Sequence, residues 1–219
     1  MWEMYLHFFC LLLPLCLWLS RFRLLPGSLR VLGVALTLTL VLEAYAAYLA
    51  LQLTRNLYIY HLLIPLQYIL LTLVYYFTLR QRTNRRLLLL SLPLYLVLVS
   101  WLTVRFQGTG EYNSMARSFK NVLLSCWCLL YYRETYLGLY PRDLLREPMF
   151  WVTTGLLLYS LGSFFVDGLM NRLLLRSYQQ AHTAYYLSVF LGYALHLFFL
   201  VAFLLVGKPV GTGHQPDEN

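Results

Sequence analysis

Seven runs of predominantly apolar residues follow one another along the chain, separated by short polar or basic breaks. About 20 apolar residues in a helix are enough to cross the hydrocarbon core of a bilayer. A barrel strand would instead show about ten residues of alternating polarity, whereas these runs are apolar throughout. The sequence therefore predicts an all-α fold, a polytopic membrane protein built as a seven-transmembrane-helix bundle. The predicted spans are 4–20, 31–53, 57–79, 87–106, 115–137, 149–171 and 182–206.

The composition excludes most other classes of protein. The 219 residues are 60% hydrophobic and 12% charged, with a mean hydropathy of +0.61. Soluble domains are about 45–50% apolar and about 25% charged. Because so few charges cannot cover the surface of a soluble protein of this size, a soluble enzyme, a disordered chain and a secreted disulfide scaffold are excluded.

The distribution of basic residues predicts the topology. The connections after the first, third and fifth spans, together with the tail, hold eleven Lys and Arg residues, and the other side holds six. Basic residues favour the cytoplasmic side, so we predict the N-terminus out and the C-terminus in. Residues 1–207 then form the transmembrane domain, and residues 208–219 a disordered cytoplasmic tail. The first segment is predicted to be retained, because Glu3 precedes it and Arg21 follows it, the reverse of a signal peptide.

The net charge of +8 is compatible with binding to an anionic partner or with a role in topology alone. Nucleic acid is not an expected partner, since no continuous basic face can be drawn. The basic breaks suit the headgroups of the lipid bilayer, or an acidic surface on a membrane or cytoplasmic protein partner. They are equally well explained as topology signals alone. The strongest cluster comprises Arg80, Arg82, Arg85 and Arg86.

Ionisable and polar residues inside the predicted spans are the candidates for a functional site, because they are costly in hydrocarbon. Glu43 is the strongest, since it lies in the middle of the second span, and it is expected either to pair with a basic or Tyr group or to form a proton or cation site. Lys120 and Arg117 are expected to extend outward from the start of their helix, and Asp167 to reach water near the end of its helix. The candidate intramembrane polar site comprises Glu43, Asn56, Tyr60, His61, Gln67, Asp167 and His196.

Motifs for familiar chemistry are missing from the sequence. The chain has no H-E-x-x-H or E-x-x-H pattern. Cys126 and Cys128 have one intervening residue, whereas a zinc pair typically has two to four. The last span has no lysine for a retinal Schiff base. We therefore predict no catalytic residue, no metal site and no cofactor, although Glu43, His61, Asp167 and His196 could meet in space as an intramembrane metal-dependent hydrolase would require.

Several motifs together resemble a known family. They are Asn56-Leu-Tyr-Ile-Tyr-His61 with Pro65-Leu-Gln67-Tyr68, Ser114-Met-Ala-Arg-Ser118, Tyr131-Tyr-Arg-Glu134, and Pro148-Met-Phe-Trp151-Val-Thr-Thr-Gly155. In these the chain resembles an uncharacterised family of small multi-spanning proteins of Bacteroidota, with about seven helices. The resemblance implies a fold and a lineage, and no activity. Gln67 and Lys120 stand where that family is expected to carry acidic residues, which weakens a metal or proton-relay site.

Three functions are open at this point. The leading hypothesis is a non-enzymatic sensor or accessory membrane subunit of the inner membrane. The second is a small transporter or ion-coupled carrier centred on Glu43, with Asn56, Tyr60 and Gln67 along the path. The third is the intramembrane hydrolase.

Overall fold

A computed structural model describes residues 2–107, 113–138, 143–176 and 178–206, so the predicted tail at 208–219 lies outside the described residues. Within those ranges the chain is helical and contains no strand. Its α-helices are α1 (Trp2–Arg21), α2 (Gly27–Leu51), α3 (Leu57–Thr78), α4 (Arg82–Leu102), α5 (Ser114–Tyr136), α6 (Pro148–Arg176) and α7 (Tyr178–Leu205).

The seven predicted helices are thus present among the described residues, and six of them are long and apolar enough to cross a membrane. The exception is α5, which carries several charged and polar residues in its 23 residues. The predicted span 87–106 corresponds to α4 and a short π-helical segment, Thr103–Gln107, that continues it.

Six helices form a closed ring. Helix α1 packs against α2, α2 against α3, α3 against α5, α5 against α6, α6 against α7, and α7 against α1. Helix α4 contacts α3 and α5, so it lies outside the ring in the groove between them. The ring therefore encloses a central volume to which α4 has no access.

The helices alternate in direction, and we call the end where α1 begins the first end and the end where α1 finishes the second end. Arg21, the last residue of α1, donates from Nη1 to the carbonyl oxygens of Leu204 (2.9 Å) and Val206 (2.7 Å) at the end of α7. These carbonyls have no partner within their own helix, so Arg21 caps α7 and joins the first helix to the last at the second end.

The interior near the second end is filled with side chains. Tyr75, Tyr131 and Phe203 are buried there, as are many leucines. The hydroxyl of Tyr75 lies 3.0 Å from Cys128 Sγ and 3.4 Å from Thr153 Oγ1, which links α3 to α5 and α6. The second end of the ring is therefore a packed core.

Two glycines set the distance between α6 and α7. A Cβ at Gly155 would lie 2.6 Å from Phe198 Cβ, and a Cβ at Gly162 would lie 2.5 Å from Leu191 Cδ1. Small residues let helices in a membrane approach closely. The pair is one heptad apart on α6, so both glycines face α7.

We expect Gly155→Ala to destabilise the protein by about 1–3 kcal/mol, because the added methyl group forces α6 and α7 apart. The measurement is thermal unfolding in detergent. Gly192→Ala is the matched control, since a Cβ there meets no atom within 4 Å. A Gly155→Ala protein as stable as this control would contradict the close-packing interpretation.

Candidate functional site

A cavity of about 630 Å³ lies inside the ring, from Ala50 and Asn56 at the first end to Leu32 and Phe199 deeper in the bundle. Side chains from α1, α2, α3, α5, α6 and α7 line it, and α4 contributes none of the lining residues. Near the first end its wall includes Ala47, Ala50, Asn56 and Leu57, from both sides of the short connection between α2 and α3.

The cavity wall changes from polar to apolar along the ring axis. Gln67 and Lys120 are followed one helical turn toward the second end by Leu71 and Leu124. The remaining apolar residues of this deeper part include Leu32, Leu36, Leu156 and Phe199. The cavity is therefore amphipathic, with its polar part toward the first end and its apolar part toward the packed core.

The polar part contains an acid–imidazole pair between the first two helices. The ring nitrogen Nε2 of His7 lies 2.7 Å from Glu43 Oε2, and the two side chains are 33% and 20% exposed. The imidazole of His196 lies beside this pair, with its ring centre 5.9 Å from that of His7. Glu43 thus already has a hydrogen-bond donor.

Lys120 projects into the same region from α5. It is only 4% exposed, and its Nζ donates to Gln67 Oε1 at 2.9 Å. The amide nitrogen of Gln67 donates in turn to Thr39 Oγ1 at 3.0 Å, which turns the amide oxygen toward Lys120. The chain Thr39–Gln67–Lys120 connects α2, α3 and α5 across the cavity.

A second charged group borders the cavity one turn earlier on α5. Arg117 Nη1 lies 3.9 Å from Asp167 Oδ1, and the guanidinium carbon lies 6.0 Å from the centre of the Tyr60 ring. Asp167 also accepts a hydrogen bond of 2.9 Å from Asn121 Nδ2. Asp167 is therefore held by α5 and does not reach the cavity.

Five of the seven residues in the predicted site line this one cavity, and two lie elsewhere. The lining residues are Glu43, Asn56, Tyr60, Gln67 and His196. His61 and Asp167 are absent from the lining, so the four-residue set proposed for a hydrolase does not converge there. Within the described ranges, no three His, Cys, Asp or Glu side chains are grouped as metal ligands would be.

Two expectations about charged residues were wrong. Lys120 does not extend outward, because α3, α5 and α6 enclose it. Asp167 does not reach water and is 1% exposed, because α5 supplies its partners.

His7 was missed, because a histidine near the start of an apolar segment gives no signal of its own. Its partner Glu43 is 36 residues away on another helix. The signal that could have found the pair is the presence of both an acid and a base in adjacent spans, since such groups tend to pair inside a bilayer.

The predicted Arg80–Arg86 cluster lies at the second end, far from the cavity. Arg82 and Arg86 are exposed there, while Arg85 donates to the carbonyl oxygen of Leu79 and stacks 5.6 Å over the Tyr76 ring. Part of the cluster is therefore used to hold the connection between α3 and α4.

Glu134 organises the same connection from the end of α5. It is fully buried, and its carboxylate accepts from the backbone N–H groups of Arg80 (2.8 Å) and Gln81 (3.2 Å) and from Asn84 Nδ2 (2.7 Å). Negative charge at the start of a helix is favourable, and here it fixes where α4 begins.

We expect Glu134→Ala to destabilise the protein by about 2–3 kcal/mol, because buried donors lose a charged acceptor. Thermal unfolding in detergent measures this. Asp143→Asn is the control, since Asp143 is 65% exposed and pairs only with Arg146 within the described residues. Equal stabilities of the two variants would contradict the role assigned to Glu134.

No family model, no curated protein and no solved structure matches this chain. The cavity, its charges and its position in the ring are the features from which a function can be inferred.

Proposed function

We propose that this protein is a non-enzymatic sensor of the cell inner membrane, and that it binds a small molecule in the ring cavity. The observation that carries this proposal is the cavity itself. It has about 630 Å³ and a mixed polar and apolar wall. Small-molecule sites in proteins typically have about 300–1,000 Å³ and a mainly apolar wall with a few polar groups.

The proposed orientation places the first end of the bundle outside the cell. The eleven-to-six distribution of basic residues supports it, because it puts Arg82, Arg86 and their neighbours on the cytoplasmic side. In this arrangement α5 also crosses the bilayer, shielded by α3, α4 and α6. The cavity then receives ligands from the outer side. A bacterial origin within the Bacteroidota-like family described above is part of the same proposal.

The packed second end favours a sensor over the alternative of an ion-coupled carrier. A carrier must open its site to both sides in turn, and here the core around Tyr75, Tyr131 and Phe203 separates the cavity from the second end. Glu43, the centre of the carrier hypothesis, is already paired with His7. The helices that line the cavity continue into the connections at the second end. A ligand in the cavity can therefore change the conformation of these connections, which form the inner face on which a partner protein would dock.

Ser188→Cys tests whether the cavity accepts molecules from outside. Ser188 lines the cavity, and the four native cysteines are not among its lining residues. We expect a small charged methanethiosulfonate added to intact cells to modify this thiol. Ser160→Cys is the control, because Ser160 is fully buried and does not line the cavity.

Modification of Ser188→Cys only in inside-out vesicles would contradict the orientation. If neither variant reacts, in intact cells or in inside-out vesicles, the cavity is not accessible to the reagent and the proposal is contradicted.

A tethered ligand tests the sensor function without knowledge of the natural one. We expect n-octyl methanethiosulfonate on Ser188→Cys to change amide hydrogen exchange at residues 79–86 as well as in the cavity wall. A ligand shifts a conformational equilibrium only through its different affinity for the two states, and hydrogen exchange reports the shift as altered local opening. Changes confined to the cavity wall would contradict signalling. Changes at residues 79–86 no larger than those in a wild-type protein exposed to the reagent would also contradict it.

A further inference from the structure

We infer that the ligand of the cavity is an amphipathic carboxylate, a single carboxylate group on an apolar chain, and that Lys120 binds its head. This inference rests on the proposed function and names the chemical class of its ligand.

The charge of Lys120 is buried in the cavity wall. Within the described residues, no carboxylate oxygen lies within 4.0 Å of Lys120 Nζ. The side chain is 4% exposed. A buried ammonium that is not paired with an anion is strongly unfavourable. An anion bound from outside would supply the missing partner.

The acidic residues nearest to Lys120 are engaged by other groups. Glu43 is bonded to His7 at 2.7 Å, and Asp167 is bonded to Asn121 at 2.9 Å with Arg117 beside it. The residue that does contact Lys120 is Gln67, whose amide is neutral. Gln67 is also held by Thr39, so its oxygen is fixed as a single acceptor. The ammonium keeps two further N–H donors that no described side chain accepts within hydrogen-bond distance.

The cavity wall beside Lys120 is apolar on the side toward the second end. Lys120 is one turn from Leu124 on α5, and Gln67 is one turn from Leu71 on α3. Leu36 and Leu156 continue the apolar wall on α2 and α6. A ligand whose head binds Lys120 can therefore place an apolar chain against these leucines. A purely polar anion would leave the apolar part unfilled.

The single positive charge of Lys120 favours a carboxylate over anions with more than one charge. One unpaired ammonium balances one negative charge, and an ammonium–carboxylate hydrogen bond is charge-assisted and short. A phosphate monoester carries about two charges near neutral pH, more than Lys120 balances. The other cation of the cavity wall, Arg117, already shares its charge with Asp167, whose Oδ1 lies 3.9 Å from Arg117 Nη1.

Binding of four octyl compounds to the purified full-length protein in nanodiscs tests the inference. The probes are octanoate, octyl phosphate, 1-octanol and octylammonium, with acetate as the anion that lacks a chain. A ligand that binds the folded state raises the thermal stability in a concentration-dependent way, which gives apparent Kd values. We expect octanoate to bind at least about tenfold tighter than each of the others, since one charge-assisted hydrogen bond accounts for such a ratio.

Three variants separate the role of Lys120 from general effects. Gln67→Glu supplies Lys120 with an internal carboxylate, so it is expected to stabilise the unliganded protein and to weaken octanoate binding at least about tenfold. Lys120→Met is expected to lose octanoate binding and to keep the 1-octanol affinity of the wild type, which also shows that the cavity is intact. Arg55→Gln is the matched control, because Arg55 is an exposed cation at the first end that does not line the cavity, and its octanoate affinity should be unchanged.

The outcomes distinguish this inference from the proposed function. Equal binding of octanoate, 1-octanol and octylammonium, or unchanged octanoate binding in Gln67→Glu, would overturn the carboxylate and leave the cavity as a ligand site. Acetate or octyl phosphate binding as tightly as octanoate would likewise overturn the ligand class. Failure of Ser188→Cys to react would instead overturn the proposed function.

Discussion

A helix that carries an arginine, a lysine, an asparagine and a glutamate cannot face the hydrocarbon of a bilayer without a large free-energy cost. Helix α5 carries Arg117, Lys120, Asn121 and Glu134, and three of these side chains are buried inside the protein. The bundle meets this constraint by placing α5 between α3, α4 and α6. The position of α4 outside the ring follows from the same constraint, because α4 is apolar enough to face lipid and covers the side of α5 that the ring leaves open.

The charged groups at the two ends of the ring differ in the partners that the protein supplies to them. At the second end, Glu134 accepts three hydrogen bonds from the start of α4, and Arg21 donates to carbonyl groups at the end of α7. These groups are satisfied within the protein and serve its stability. Near the first end, Lys120 meets only a neutral amide and an open cavity. A buried polar group that a protein does not satisfy internally requires an explanation, and a bound anion would provide one for Lys120.

The sequence was sufficient to predict where the helices lie along the chain. It was insufficient to predict which face of each helix turns toward the inside of the ring. The predicted span 57–79 agrees closely with α3, Leu57–Thr78, because a break at Asn56 and a basic cluster after Thr78 delimit it. Helix α6 extends to Arg176, beyond the predicted 171, because basic residues near its end were assigned to a connection. Apolar residues surround most of these helices on all sides, so no stripe shows which face turns inward. For this reason both Gln67 and His61, on one helix, are candidates from the sequence, and only Gln67 lines the cavity.

The contacts made by Arg21 also bear on how the molecule is assembled in the membrane. Arg21 and the carbonyl groups of α7 that it contacts are separated by 182 to 185 residues, so the ring closes only when the last helix meets the first. Until α7 has left the ribosome and entered the bilayer, the gap between α1 and α6 leaves Glu43 and Lys120 without one wall of their enclosure. A chain interrupted before α7 would expose these charges laterally to lipid, a defect that a membrane protease can recognise. The cavity is thus complete only once α7 has inserted between α1 and α6.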